Sequence, residues 1–307
     1  MQCWHFLTRE KKMHPLIEFV DEKTKILESE YREIDPEFKK IPDYRRPRIY
    51  SNSNKRIFYS LHGFLGTPEE MTVNDEVLKN LGFDIYHDLV PGFGSHPPIC
   101  NDYRSEDWLN DFKEKLDFLM KNYDEIFLSG FSTGALIIHS FLRSGEGSIA
   151  MPKIKGLLFF SPFYLPTLKL ARPVVKNSSF LIKTFSLQWL YRLTGIQDLQ
   201  VILFKPQYYL QRIPLLTALQ INDLGREVFN STLSEKIKAP ILVFLTRVDK
   251  VANPQISEQM IKRDFANFQI KIFDNPQIPH HLMVPEVNPE IDQLKDRSRA
   301  FISSLLG

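Results

Sequence analysis

The sequence lacks the features of a secreted or membrane-embedded protein. Its 307 residues include only two cysteines, Cys3 and Cys100, which form neither a disulfide framework nor a C-x-x-C pair. No apolar run approaches the about 18 residues that a membrane-spanning helix needs, and no long apolar segment near the N-terminus indicates a secretory signal. We therefore expect a protein of a reducing compartment and predict that it is cytoplasmic.

Strong charge and ligand-binding motifs are also missing. The formal net charge is only +2 at pH 7, which does not favour a nucleic-acid partner. The histidines show no H-E-x-x-H or comparable spacing, and the glycine-rich loops match neither the dinucleotide-binding fingerprint nor the Walker pattern. We therefore predict no metal and no cofactor. The basic stretch 39–56 allows weak peripheral contact with an anionic membrane, although such a run is more often a solvated face.

What is present is the composition of an ordinary globular protein, with 43% hydrophobic and 25% charged residues. The 24 phenylalanines suggest an apolar pocket. Strands and helices alternate along most of the chain, but the stretch 163–233 is apolar, broken by prolines and without this alternation. We predict an N-terminal helical and basic extension over 1–50, an α/β core over 51–162 and 234–307, and a helical cap over 163–233.

The most informative motif is a G-x-S-x-G match, Gly130–Phe131–Ser132–Thr133–Gly134, between an apolar strand and an apolar helix. A serine at such a sharp strand-to-helix turn has a strained backbone, and its neighbours two residues away must be small. The turn exposes the hydroxyl of Ser132 above the sheet edge. It also directs the backbone N–H of Thr133 to the place where an oxyanion would form. We predict that Ser132 is a nucleophile.

A second glycine-containing loop between a predicted strand and a predicted helix is His62–Gly63–Phe64–Leu65–Gly66. It precedes a predicted helix over 68–81, in which Thr67 is the N-cap and Glu70 completes a capping box. Ligands of parallel sheets bind beyond the carboxyl ends of the strands. We therefore predict that the N–H of Phe64 is the second donor of an oxyanion hole.

A serine nucleophile needs a base, and the base needs a carboxylate to hold its tautomer. Asp249 follows a predicted buried strand, and the adjacent His280 and His281 follow the next one, so all can meet Ser132 at one sheet edge. We predict Asp249 as the acid, with Asp274 as the weaker alternative.

Only one of the two adjacent histidines can face Ser132. We favour His281, because Leu282 and Met283 directly after it would anchor the following segment to the core. His280 remains the alternative base. His62 and His96 are predicted to be hydrogen-bonding loop residues rather than proton carriers.

With these motifs the chain resembles the serine α/β-hydrolase superfamily, and within it the bacterial carboxylesterases and monoacylglycerol-lipase-like enzymes. The resemblance covers about 57–306. It implies an α/β-hydrolase fold with a mostly parallel central sheet, flanking helices and a cap that sets substrate choice. It further implies the site residues Ser132 (nucleophile), Asp249 (acid), His281 (base), and Phe64 and Thr133 (oxyanion hole). Ala135 and Pro279 depart from the branch, which often has glycine and serine at these positions.

The leading hypothesis is hydrolysis of a carboxylic ester through an acyl-enzyme. Short- to medium-chain acyl esters, monoacylglycerols and lysophospholipid-like molecules are the expected substrates. A thioesterase or a small-peptide amidase would use the same triad. The predicted cap has only isolated acids, such as Asp198, Asp223 and Glu227, which argues mildly against recognition of a peptide amino group. A non-catalytic scaffold is the third hypothesis, and the complete set of motifs disfavours it.

Overall fold

Apolar strands alternate with amphipathic helices in the structure, a computed structural model that describes residues 14–93, 95, 97–167, 198–200 and 212–306. The strands are β1 (Arg48–Tyr50), β2 (Arg56–Leu61), β3 (Asp84–Asp88), β4 (Glu125–Phe131), β5 (Ile154–Phe160), β6 (Asp198–Gln200), β7 (Arg212–Pro214), β8 (Ile241–Thr246) and β9 (Phe268–Phe273). The α-helices are α1 (Pro15–Ile34), α2 (Asp75–Asn80), α3 (Pro97–Cys100), α4 (Ser105–Asn122), α5 (Thr133–Leu142), α6 (Gly145–Ala150), α7 (Leu215–Asn230), α8 (Pro254–Asp264) and α9 (Ile291–Leu305).

Seven of the nine described strands form one sheet in the order β1-β3-β2-β4-β5-β8-β9. All neighbours pair in parallel except β1, which runs antiparallel to β3. The central strands are nearly continuous apolar runs because both of their faces are covered by helices. One core layer contains Phe112 of α4, Ile137 of α5 and Met260 of α8, and the opposite layer contains Leu78 of α2 and Leu294 of α9. The predicted α/β-hydrolase fold is therefore confirmed.

The predicted N-terminal extension packs against the core over its described part. Helix α1 ends at Ile34, and it buries Leu16 and Val20 in the same apolar cluster as the central strands. Its Tyr31 is fully buried, and the hydroxyl oxygen accepts a hydrogen bond from the N–H of Gly92 at 2.7 Å. Helix α1 thereby holds the loop that follows β3. No helix in the described ranges is both long and apolar enough to cross a membrane.

The predicted cap is described in part. Residues 168–197 and 201–211 of it lie outside the described residues, so the cap boundaries stay a prediction. The described part contains α7 and the antiparallel pair β6 and β7. Helix α7 approaches the segment after β5 closely, because a Cβ atom on Gly225 would lie under 3.0 Å from the carbonyl oxygen of Tyr164.

The capping box predicted at Thr67 is not formed. The predicted helix begins as a 3-10 turn over Pro68–Asn74 and continues as α2, and the Thr67 side chain makes no capping hydrogen bond. The carboxylate of Glu70 instead accepts the N–H of Gly63 in the preceding loop. The carboxylate is therefore used by the loop rather than by the helix terminus.

Candidate active site

Ser132 stands at the turn between β4 and α5, with φ 51° and ψ −112°. The turn requires the two flanking glycines. A Cβ atom on Gly130 would lie under 3.0 Å from the backbone of Ala135, and one on Gly134 would lie equally close to the carbonyl oxygen of Leu61. The backbone N–H of Ser132 donates to the carbonyl of Phe160 at 2.9 Å, which ties the turn to the neighbouring strand.

His280 bridges the serine and a carboxylate. Its Nε2 lies 2.9 Å from Oγ of Ser132, and its Nδ1 lies 2.7 Å from Oδ2 of Asp249. The other carboxylate oxygen of Asp249 accepts the backbone N–H groups of Val251 and Ala252 at 2.8 and 2.9 Å, which fixes its orientation. With the Nδ1 proton donated to Asp249, Nε2 is free to accept the serine proton. This arrangement can activate Ser132 as a nucleophile.

The structure places His280, and not His281 as we predicted from the sequence, between Ser132 and Asp249. In the segment after β9 the buried side chains alternate, with Ile278 and Leu282 fully buried and His280 6% exposed. The chain turns tightly here, since the N–H of Leu282 donates to the carbonyl of His280 at 2.9 Å. Leu282 is the buried anchor that we expected, but the histidine buried with it is His280.

His281 lies at the edge of the site instead. Its ring centroid is 5.5 Å from that of Phe131, next to the nucleophile. Burial, together with the neighbouring charge of His280, lowers the pKa of His281 to about 3, so that this ring is neutral at pH 7. Asp274, the weaker alternative acid, pairs with Arg247 on the exposed surface and has no place in the triad geometry.

The loop around Phe64 lies beside the serine turn, because Gly134 at the start of α5 packs directly on the carbonyl oxygens of Leu61 and His62. The carbonyl of Gly63 accepts hydrogen bonds from Nδ1 of His62 at 2.8 Å and from the N–H of Gly66 at 3.1 Å. That carbonyl and the N–H of Phe64 belong to one planar trans peptide, so they point in opposite directions. The first N–H groups of α5, including that of Thr133, have no partner within the helix. The assignment of both N–H groups to an oxyanion hole stays a prediction.

His62 is the hydrogen-bonding loop residue that the sequence predicted. Its Nε2 accepts the N–H of Val90 at 3.2 Å, and burial lowers its pKa to about 4. The ring is thus neutral, with its proton on Nδ1. His96, the other loop histidine, lies outside the described residues.

A family model described as serine aminopeptidase, S33, matches residues 52–284 of the chain. The chain belongs to this family of α/β-hydrolases. The match begins after α1 and β1, so the N-terminal extension lies outside it. A comparison with curated proteins found no sequence match.

Solved structures of lipolytic enzymes share the fold at low sequence identity. The metagenome-derived lipolytic enzymes LipS and LipT give a match of 16% identity and TM-score 0.68 over 86% of this chain and 100% of that one. The monoacylglycerol lipase of Paleococcus ferrophilus matches with 17% identity and a TM-score of 0.62, over 84% of this chain and 98% of that one. A soluble variant of the monoglyceride lipase of Saccharomyces cerevisiae, in complex with a substrate analogue, matches with 14% identity and a TM-score of 0.65, over 84% of this chain and 91% of that one. At these identities the likeness shows the fold alone.

Sequence reasoning missed one contact beside this site, the hydrogen bond between Glu70 and Gly63. The spacing of Glu70 from Thr67 is that of a capping box, and this local signal hid its contact with Gly63 seven positions earlier. The two loops were correctly predicted to lie at one sheet edge. No pattern in the sequence indicated that the Glu70 side chain turns back from the start of the helix to the preceding loop.

Proposed function

We propose that the protein is a serine hydrolase that cleaves a carboxylic ester through an acyl-enzyme. The observation that carries this proposal is the hydrogen-bonded chain from Ser132 through His280 to Asp249, with distances of 2.9 and 2.7 Å. Ser132 Oγ attacks the ester carbonyl while Nε2 of His280 takes its proton. His280 then gives that proton to the leaving alcohol. Water, deprotonated by His280, releases the acid and restores Ser132.

Asp249 holds the imidazole and stabilises its charged form during both steps. The N–H groups of Phe64 and Thr133 are the proposed donors to the oxyanion. Their support is the packing of α5 on the end of β2, which puts the two loops side by side. Fixed donors in a site from which water is excluded are usually the largest single contribution to acyl-transfer catalysis.

The proposed substrates are short- to medium-chain acyl esters, including monoacylglycerols and lysophospholipid-like molecules. Two observations support an apolar acyl group. The first is that the lipolytic and monoacylglycerol-lipase neighbours share the fold. The second is that two partly buried aromatic residues, Phe64 and Phe163, lie at the site. The N–H of Phe163 donates to the carbonyl of Ser132 at 3.1 Å.

Amide hydrolysis is the second candidate, because the matching family is described as a serine aminopeptidase. A thioester would use the same triad as well. All three reactions pass through the same acyl-enzyme and differ in the leaving group.

The test is hydrolysis of p-nitrophenyl esters from acetyl to dodecanoyl by the wild type and by Ser132→Ala, with an acyl thioester and an aminoacyl p-nitroanilide as competing substrates. We expect ester turnover in the wild type and a loss of at least about 10³-fold in the variant. Mass spectrometry of the quenched reaction should find the acyl group on the peptide that contains Ser132. Faster cleavage of the anilide than of any ester would favour the amidase, and full activity of Ser132→Ala would refute the assignment.

A further inference from the structure

The side chain of Glu70 is buried inside the turn that carries Phe64. It is 7% exposed, and its Oε1 accepts the N–H of Gly63 at 2.5 Å. A Cβ atom on Gly66 would lie under 3.0 Å from three atoms of the Glu70 carboxylate. The carboxylate therefore fills the concave side of the turn from Gly63 to Gly66, and the glycine at its end makes room for it.

Gly63 is held at both of its peptide groups. Glu70 takes its N–H, while His62 and Gly66 donate to its carbonyl. The carbonyl of Gly63 and the N–H of Phe64 share one peptide plane, so these contacts together fix the direction of the Phe64 N–H.

This turn needs such support, because Leu65 has φ 67°. A branched side chain in the left-handed region stores strain that the surroundings must balance. Without the carboxylate, the turn can relax by rotating the peptide planes on either side of Gly63. The N–H of Phe64 would then leave its place.

We propose that Glu70 is a positioning residue for the oxyanion hole. This inference rests on the proposed function. Glu70 does not touch the substrate; it orients the N–H of Phe64 through Gly63. The effect of an oxyanion donor depends on its position to within about 1 Å. The loss of the contact therefore lowers the rate of the chemical step more than it weakens substrate binding.

The experiment compares Glu70→Gln, which keeps an acceptor oxygen, with Glu70→Met, which keeps the approximate volume but has no such oxygen. Glu69→Met is the matched control, because Glu69 is the adjacent carboxylate and pairs with Arg48 instead of the loop. For the best ester we expect Glu70→Met to lose about 10- to 100-fold in kcat with KM within about twofold. Glu70→Gln and Glu69→Met should stay within about threefold of the wild type.

A second measurement separates positioning from general stability. An aliphatic trifluoromethyl ketone forms a tetrahedral adduct with a serine nucleophile and places an oxyanion in the hole. Its affinity should fall in Glu70→Met by the same factor as kcat, whereas affinity for the non-reactive alcohol analogue should not change. Hydrogen exchange of the peptide over 62–66 should become faster in Glu70→Met than in Glu69→Met. If Glu70→Met fails to fold, Glu70→Ala takes its place in the same comparison.

Equal kcat in Glu70→Met and Glu69→Met would overturn the inference. So would a decrease in kcat that is as large in Glu70→Gln as in Glu70→Met, or an effect of Glu70→Met on KM alone. A failure of the proposed function looks different. In that case the wild type itself neither hydrolyses the esters nor binds the trifluoromethyl ketone, and both proposals fall together.

Discussion

The backbone of Ser132 has a conformation that few side chains adopt, with φ 51° and ψ −112°. Such a residue costs about 1–3 kcal/mol and persists only where its surroundings hold it. Here the N–H of Ser132 is bonded to the carbonyl of Phe160, and its carbonyl accepts the N–H of Phe163. This conformation places the hydroxyl 2.9 Å from Nε2 of His280 at the end of the sheet.

Buried neutral histidines, among them His62 and His281, make the stability of the fold sensitive to acid. Burial lowers the pKa of His62 to about 4, and burial with the charge of His280 lowers that of His281 to about 3. In the unfolded chain a histidine titrates near 6.5. Below that pH the unfolded state binds more protons than the folded state, so stability falls as pH decreases from about 6.5 toward the two folded pKa values.

We predict that the free energy of unfolding decreases between about pH 7 and pH 5, with each of these histidines contributing up to about 1.4 kcal/mol per pH unit. His281→Asn removes one such contribution, so the slope of its unfolding free energy against pH should be smaller than that of the wild type by up to about 1.4 kcal/mol per pH unit. Urea unfolding at several pH values measures this slope. An unchanged slope in His281→Asn would contradict the buried neutral state of His281.

The contact between α5 and β2 aligns the two loops of the site. Helix α5 begins directly after Ser132, and Gly134 lets its first turn rest on the backbone carbonyls of Leu61 and His62. Any side chain at this position would push the helix away from the loop that carries Phe64.

We predict that Gly134→Ala lowers the stability by about 1–3 kcal/mol, through overpacking against backbone that cannot move aside. Gly145→Ala is the control, because a Cβ atom there meets no atom within 4 Å and an alanine fits a helix better than glycine. Chemical denaturation of both variants checks the difference. Equal stabilities would show that α5 does not depend on this close approach.

Most core elements could be predicted from sequence, since strands such as β4 and β8 are continuous apolar runs with no competing pattern. Ser132 was predicted from its G-x-S-x-G turn and Asp249 from its place after a strand, and the structure brings both together with a histidine. The choice between His280 and His281 could not be made from spacing. It depends on which of two adjacent side chains shares the buried side of the chain with Ile278 and Leu282.

At the scale of the whole molecule, a buried ion cluster joins segments that are distant in sequence. Asp264 at the end of α8 is bonded to Arg143 and Arg263, and the guanidinium groups donate to carbonyls at the end of α7 and just after it, those of Val228, Phe229 and Ser231. Burial alone would raise the pKa of Asp264. Its contacts with His139 and Arg263, and the charge of Arg143, hold that pKa well below its usual range. The cluster thus fixes α7 and the segment after it to the core.

We predict that Asp264→Ala destabilises the protein by about 3–5 kcal/mol, because it leaves the buried guanidinium of Arg143 and the partly buried one of Arg263 without their carboxylate. Asp274→Ala removes an exposed ion pair with Arg247 and should cost at most about 1 kcal/mol. Urea denaturation of the two variants is the measurement. A similar small loss in both would show that the cluster contributes no more than a surface ion pair.

The whole site depends on one claim, that His280 and not its neighbour is the base for Ser132. The most direct test is ester turnover by His280→Ala and His281→Ala, two variants that differ by one position in the chain. Because only His280 lies within hydrogen-bond distance of both Ser132 and Asp249, we predict that His280→Ala loses at least about 10³-fold in kcat. His281→Ala should stay within about tenfold of the wild type. A silent His281→Ala beside an active His280→Ala would contradict the triad described by this structure.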